Sequence, residues 1–136
     1  MSRLATPIIC VVIGEGGSGG ALGIGIGDRV GMLQHAYYSV ISPEGCAGIL
    51  WKVATEETKP LAAGALRLTS QDLLRFGVID HIVPEPLGAA HRAPREMMTS
   101  LKSSLNRYLR ELSQIPIPEL LDQRYLKFRK MGLMAQ

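Results

Sequence analysis

The sequence predicts one α/β domain with a mostly parallel sheet, followed by long C-terminal helices. Short apolar runs rich in β-branched residues alternate with helical segments, and a glycine cluster joins the first apolar run to the first helix. From about residue 94 onward, apolar residues recur every three or four positions. Only about four strands are visible, so we expect the sheet to continue into polypeptide outside this chain.

The first elements are a strand, a glycine-rich loop and a helix. Residues 7–13 (PIICVVI) predict a buried parallel strand covered on both faces, because the apolar run does not alternate with polar residues. Residues 15–20 predict a loop. Residues 21–27 predict a tightly packed helix that opens at Ser18 or Gly19, with glycines 23 and 27 on one face.

Two strands and a capped helix are predicted next. Residues 29–34 and 36–41 carry strand-forming residues. Ser42 precedes Pro43, which predicts an N-cap serine with proline at the first helical position. The helix itself should cover about residues 45–51.

The middle of the chain predicts two helices and a last strand. Residues 60–66 are rich in alanine and predict a helix. Thr69 predicts the cap of a short helix that Gly77 ends. Residues 78–83 (VIDHIV) predict the last strand, which a proline-containing segment stops.

Two long helices are predicted at the C-terminal end. The apolar stripe of the first helix is Met97, Leu101, Leu105, Tyr108 and Leu112. The second is predicted over residues 119–130, and the side chains expected on its apolar side are Leu121, Tyr125 and Phe128. We interpret the first stripe as helix packing or a subunit interface.

Composition and charge favour a globular protein and argue against a zinc site and a membrane span. Apolar residues make up 46% and charged residues 20% of the chain, which is typical of a soluble globular protein. Cys10 and Cys46 belong to no CxxC pair, so we expect free thiols and no zinc site. We find no secretory signal and no apolar run long enough to cross a membrane, and we expect a cytoplasmic protein. The basic excess lies in residues 91–136, where a solvated helical face is the simplest interpretation.

The glycine cluster after the first strand fits several motifs. Gly14-x-Gly16-x-x-Gly19 resembles a dinucleotide fingerprint, but no acidic residue ends the next strands. A P-loop is excluded because no lysine precedes Trp51. The stretch 16–20 (GGSGG) also fits a nucleophile elbow, with Ser18 as the nucleophile of a serine hydrolase. Its triad partners would be Asp72 or Asp80, followed in the chain by His81 or His91.

A fourth interpretation needs no nucleophile. Backbone N–H groups at a helix start can form an oxyanion hole, which stabilises an oxygen that gains negative charge. The simplest alternative is that the glycines only let a helix pack closely on a sheet. Ser18 would then be a helix-capping hydroxyl.

Several polar residues outside the cluster are weaker candidates. We expect His35 in a turn or at a strand edge, and a structural role for the pair Asp80 and His81. Arg92 could pair with a phosphate or a partner carboxylate. The two acidic residues nearest the cluster, Glu15 and Glu44, are expected to serve chiefly as turn or cap residues.

Four blocks of the sequence resemble one known family. They are residues 12–22 (VIGEGGSGGAL), 38–47 (YSVISPEGCA), 49–52 (ILWK) and 84–92 (PEPLGAAHR). In this order and spacing they are similar to the α subunits of acetyl-CoA carboxylase carboxyltransferases. The resemblance covers essentially the whole chain. Family members are at least about twice as long, so we expect this chain to correspond to a C-terminal portion, and its activity and independent folding need testing.

The resemblance implies a fold, a reaction and a site. The fold is a crotonase-like spiral, here incomplete, with residues 1–93 in the core and 94–136 in a helical extension. The reaction transfers a carboxyl group from carboxybiotin to acetyl-CoA, giving malonyl-CoA for fatty acid synthesis. The family's oxyanion donors fall on Gly19 and Gly20, which would hold the ureido oxygen. The neighbouring substrate-binding positions are Gly16, Gly17, Ser18 and Ala21.

The resemblance also implies partners. They are a carboxyltransferase β subunit in an α2β2 assembly, a biotin carboxyl carrier protein and biotin carboxylase, and ATP is used at the level of that complex. The β subunit is expected to hold the thioester and to carry a zinc ribbon, so no metal is expected in this chain. We expect no contact with membranes or nucleic acid. Two alternatives stay open: the Ser18 hydrolase, and a non-catalytic fragment that binds the β subunit.

Overall fold

The structure is a computed structural model that describes residues 1–132 as five short strands and six helices. In chain order the elements are β1 (Ile9–Val12), β2 (Glu15–Gly17), α1 (Ser18–Ile24), β3 (Arg29–Leu33), β4 (Tyr37–Ser39), α2 (Pro43–Leu50), α3 (Thr58–Leu66), α4 (Ser70–Arg75), β5 (His81–Val83), α5 (Pro94–Ser113) and α6 (Ile117–Lys130). The predicted α/β class and the long C-terminal helices are confirmed.

The strands form two small parallel sheets. The first sheet has the order β1-β3-β5, with Ile9 opposite Arg29 and Gly31 opposite His81. The second sheet pairs β2 with β4, with Gly17 opposite Ser39. The main core lies around β3 and β5, where side chains from α4 and α5 pack. Its buried members are Val30, Met32, Leu33, Ala36, Leu73, Ile79, Val83 and Met97.

Two helix starts follow from local capping, as predicted. The Ser42 hydroxyl accepts a hydrogen bond from the Gly45 N–H at 3.1 Å, and Pro43 is the first helical residue. The Thr69 hydroxyl accepts from the Asp72 N–H at 3.3 Å. Each side chain satisfies a donor that a helix start leaves without a backbone partner.

The structure corrects three predictions near the glycine cluster. Residues 15–17 are not a loop, because they form β2 beside β4. The helix ends at Ile24, so Gly27 does not share a helical face with Gly23. The first strand is not covered on both faces. It lies at an edge of its sheet, and Ile9–Val12 are only half-buried.

The inward face of α6 also differs from the prediction. Leu120 and Arg124 are buried, whereas Tyr125, expected on the packed side, is 65% exposed. The Arg124 guanidinium forms two hydrogen bonds of 2.8 Å with the Asp28 carboxylate. It also donates to backbone carbonyl groups in the first six residues, including that of Leu4 at 2.9 Å. The buried ion pair joins α6 to the residue before β3, and the bonds to the carbonyl groups join α6 to the start of the chain.

Within residues 1–132, Cys10 and Cys46 are both free thiols, as expected. In the same part of the chain, no helix is both long enough and apolar enough to cross a membrane.

Candidate functional site

A sharp turn between β2 and α1 builds the candidate site. Ser18 starts the helix with φ of +61°, in the left-handed region that a residue with a side chain rarely adopts. This conformation redirects the chain from the strand into the helix within one residue. Strain of this kind costs about 1–3 kcal/mol and is commonly found at functional sites.

Tyr38 holds α1 against the sheet. Its hydroxyl donates to the Ala21 carbonyl oxygen at 3.1 Å, and its ring lies beside Gly16 and Gly25. Burial raises the pKa of the Tyr38 phenol, so the hydroxyl stays protonated and keeps donating at neutral pH. Tyr38 was not among the site residues predicted from the sequence. The only sequence feature that pointed to Tyr38 was its position at the start of block 38–47, which resembles the family.

The first N–H groups of α1 have no partner among the described residues. Neither the Gly19 nor the Gly20 N–H donates to any group within residues 1–132, and Gly17 provides no side-chain cap. Both residues are exposed. A helix start leaves its first N–H groups without a backbone partner, so this pair is free to donate to a group from outside the chain, as the donors of an oxyanion hole must be.

A cavity of about 670 Å³ lies beside this helix start. Its wall includes Gly16, Gly17, Gly20 and Ala21, together with residues 8–14 along β1. The structure therefore brings four of the six predicted site residues to one cavity. Ser18 and Gly19 lie next to it in sequence without lining it.

The space around each glycine of α1 shows whether it is needed for packing inside the chain or leaves room for a group from outside. A Cβ added at Gly19, Gly20 or Gly23 would meet nothing within 4 Å. At Gly25, by contrast, it would lie 2.5 Å from the Tyr38 hydroxyl oxygen. Tight packing therefore explains Gly25 but not the three glycines on the open side of α1. Glycine is a poor helix former, and at these three positions no neighbouring atom of the chain needs the space that a Cβ would fill. This indicates that a group from outside the chain approaches the helix closely here.

The hydrolase triad is not assembled within residues 1–132. The Ser18 hydroxyl forms no hydrogen bond there. His81 is buried in β5, where its ring lies 4.2 Å from that of Tyr108 and its Nδ1 atom has no hydrogen-bond partner. His35, which was not a triad candidate, lies in the predicted turn after β3, where its backbone N–H donates to the Glu85 carboxylate at 2.7 Å.

The remaining candidates have structural contacts. Asp80 accepts from the Val30 N–H at 2.6 Å and pairs with Lys127, as a structural residue would. Glu44 lies in the first turn of α2. A Cβ added at Gly88 would lie 3.1 Å from the Arg92 Cδ atom, so the Arg92 side chain lies beside this glycine.

Cys10 is the thiol nearest the candidate site. It lines the cavity, and its Sγ donates to the Ile24 carbonyl oxygen at 3.2 Å. Burial raises the pKa of the Cys10 thiol, which keeps it protonated and a poor nucleophile. Among the described residues, no group of three or more His, Cys, Asp or Glu side chains could hold a metal ion.

Comparison with known proteins gives a family and several close relatives. Residues 1–132 match the family model described as acetyl co-enzyme A carboxylase carboxyltransferase-like. A subunit from Rhodopirellula baltica is 63% identical over all 136 residues, which cover 42% of that relative. Relatives from a Cyanothece species and from Methylococcus capsulatus are each 57% identical over the whole chain, which covers 41% and 42% of their lengths.

All three relatives are named acetyl-coenzyme A carboxylase carboxyl transferase subunit alpha. The chain spans about two fifths of the length of these curated relatives. The family match extends over every residue that the structure describes. This chain is therefore a member of the acetyl co-enzyme A carboxylase carboxyltransferase-like family.

Proposed function

We propose that this chain provides the carboxybiotin side of a carboxyltransferase that converts acetyl-CoA to malonyl-CoA. The observation that carries the proposal is the pair of unpaired N–H groups at Gly19 and Gly20, beside a cavity whose wall includes Gly16, Gly17, Gly20 and Ala21. The family match and the relatives' names support the same reaction.

The site fits a cyclic urea such as that of biotin. Such a group presents a carbonyl oxygen, which accepts hydrogen bonds, and the open space at Gly19 and Gly20 lets it approach the backbone closely. When bound, carboxybiotin supplies the carboxyl group. The two N–H groups would lie about 2.7–3.1 Å from the oxygen that gains charge and would stabilise that charge.

The other residues of the site have positioning roles in this proposal. Ser18 sets the direction of α1, and the Tyr38 hydroxyl fixes the helix by binding the Ala21 carbonyl oxygen. Both therefore act on the orientation of the two donors. A reaction limited by charge on a substrate oxygen needs this preorganisation more than it needs a side-chain acid or base.

The proposal extends to the fold and the assembly. Residues 1–93 would belong to the core of a crotonase-like spiral and residues 94–132 to a helical extension. The last four residues of the predicted extension, 133–136, lie outside the described residues. A β subunit would hold the thioester opposite Gly19 and Gly20. A carrier protein charged by biotin carboxylase would deliver the carboxyl group, and the whole complex would work in the cytoplasm.

The experiment is a malonyl-CoA assay on this chain assembled with a carboxyltransferase β subunit. We expect Ser18→Ala to keep most of the activity, because no step uses the hydroxyl as a nucleophile. Ser103→Ala, at an exposed position on α5, is the matched control. A serine hydrolase would instead lose about 10³-fold or more with Ser18→Ala.

Two results would reject the proposal. A loss of 10³-fold in Ser18→Ala, with Ser103→Ala unaffected, would favour the hydrolase. A stable complex with the β subunit that forms no malonyl-CoA would show that this chain is a non-catalytic assembly fragment.

A further inference from the structure

Glu15 is the one acidic residue among the described residues that line the cavity beside α1. The others have apolar side chains or are glycines, apart from Cys10 with its thiol and Tyr38 with its hydroxyl. The sequence predicted chiefly a turn or cap role for Glu15, but Glu15 lies in β2 and caps no helix among residues 1–132. A single charged group in a mostly apolar wall is a candidate for a specific contact with a ligand.

The alternation of β2 puts Glu15 on its open face. A Cβ added at Gly16 would lie 2.9 Å from the Tyr38 ring, so Gly16 faces the packed side of the strand. Successive residues of a strand point to opposite faces, and Glu15 and Gly17 therefore share the other face. Both are exposed, whereas Gly16 is half-buried. Because Gly17 directly precedes α1, Glu15 lies on the face that leads to the start of that helix.

The Glu15 carboxylate has a neighbour that orients it and room for a further donor. Tyr37 lies opposite Glu15 in the parallel pairing of β2 with β4. A hydrogen bond with the Glu15 carboxylate is the largest cause that raises the pKa of the Tyr37 phenol, so the hydroxyl stays protonated and donates at neutral pH. Within residues 1–132 this carboxylate forms no salt bridge. Because an ionised carboxylate has about four acceptor positions, it can accept a further N–H.

A cyclic urea has donors as well as an acceptor. The N–H groups of Gly19 and Gly20 suit its carbonyl oxygen, but they leave the ring N–H without a partner. A carboxylate repels an oxygen that gains negative charge, whereas it accepts a hydrogen bond from an N–H. We propose that Glu15 is a positioning residue that accepts from the ureido N–H on the ring nitrogen without the carboxyl group. This inference rests on the proposed function, because it assigns a second contact to the same urea.

Binding of two esters tests this contact without turnover. The sample is this chain assembled with a β subunit. The ligands are biotin methyl ester and the same ester methylated on the ring nitrogen that carries no carboxyl group in carboxybiotin, which keeps the carbonyl oxygen but lacks the N–H. A hydrogen bond to a charged group changes a binding constant by about tenfold or more. By calorimetry we expect the wild type to bind biotin methyl ester about tenfold more tightly than the N-methyl ester.

Substitutions at Glu15 should change this preference. Glu15→Ala removes the acceptor, so we expect it to bind biotin methyl ester about tenfold more weakly and the N-methyl ester as the wild type does. Glu15→Gln keeps a neutral acceptor oxygen, which forms a weaker hydrogen bond, and its preference should lie between those of the wild type and Glu15→Ala. The matched control is Glu44→Ala, because Glu44 is an acid outside the cavity wall. This control should bind both esters as the wild type does.

The outcomes separate this inference from the proposed function. If the wild type binds both esters equally, or if Glu15→Ala keeps the wild-type preference, the inference is wrong, while the role of Gly19 and Gly20 is unaffected. If the wild type binds neither ester, both the inference and the carboxybiotin site are contradicted. If Glu15→Ala does not assemble with the β subunit, the wild type and Glu15→Gln still decide, because an unchanged preference in Glu15→Gln would contradict the inference.

Discussion

The substitution Gly20→Ala separates the two explanations of the glycine cluster. A Cβ at Gly20 would meet nothing within 4 Å, so the substitution creates no clash inside the chain. Alanine is the better helix former by about 0.5–1 kcal/mol. We therefore expect Gly20→Ala to raise the free energy of unfolding of the chain by up to about 1 kcal/mol.

The same substitution should lower carboxyltransferase activity. Gly20 lines the cavity, so the added methyl group would occupy space that the substrate oxygen needs to reach the two N–H groups. Loss of one oxyanion-hole donor typically costs 10²–10³-fold in rate. We expect a loss of about 10²-fold, measured as malonyl-CoA formation by the chain assembled with a β subunit.

Gly25→Ala is the matched control for stability. The new Cβ would lie 2.5 Å from the Tyr38 hydroxyl oxygen and 2.8 Å from the Ala21 carbonyl oxygen. Overpacking of this kind costs about 1–3 kcal/mol, so this variant should be destabilised. Urea unfolding of both variants gives the comparison. If Gly20→Ala is destabilised like Gly25→Ala, Gly20 serves packing inside the chain. If Gly20→Ala stays fully active, no substrate oxygen approaches the backbone at Gly20. Either result would contradict the proposed role of Gly20.

The remaining predictions concern stability. Arg124→Met leaves the Asp28 carboxylate buried without its guanidinium, and we expect a loss of about 3–5 kcal/mol in the free energy of unfolding by urea. Burial lowers the pKa of His81, so its neutral form stabilises the folded state. The stabilisation by neutral His81 is complete above the ordinary histidine pKa of about 6.5. It decreases as the pH falls from there toward the lowered pKa of His81 in the folded state. Urea unfolding at several pH values should show this decrease, and His81→Gln should reduce it.

Each of these predictions has a control. Lys59→Met breaks the exposed Lys59–Glu56 pair and should change the free energy of unfolding by less than about 1 kcal/mol. An equal cost for Lys59→Met and Arg124→Met would show that burial of the ion pair is unimportant. For His81, identical pH dependence in the wild type and His81→Gln would assign the decrease to other groups.

Local chemistry made part of this fold predictable. The caps at Ser42 and Thr69 depend on hydrogen bonds to residues three positions away, so the sequence around each helix start contains the whole signal. The start of α1 at Ser18 was predictable for a similar reason, because a glycine cluster ends a β-branched run.

Contacts between distant residues made the rest unpredictable. β2 is a strand only because Gly17 lies opposite Ser39, and its glycine-rich sequence favours a loop. The face of α6 is set by Arg124, whose partner Asp28 is 96 residues away. The apolar stripe therefore predicted Leu121 and Phe128, which are half-buried, but it wrongly included Tyr125 and missed Arg124.

The candidate site was predictable in outline only. The glycine cluster predicted backbone donors at a helix start, and the family resemblance assigned them to Gly19 and Gly20, whose N–H groups are unpaired within residues 1–132. The sequence could not show that Tyr38 fixes α1, because that contact joins residues 17 positions apart. Nor could it show the left-handed turn at Ser18, since serine gives no preference for that conformation.

The most direct test of the proposed site is a crystal structure of this chain assembled with a β subunit and with biotin bound. The measurement is the distance from the ureido oxygen to the backbone nitrogen atoms of Gly19 and Gly20. We predict about 2.7–3.1 Å to both nitrogens. A ureido oxygen bound elsewhere, with both N–H groups directed to water, would contradict the central claim.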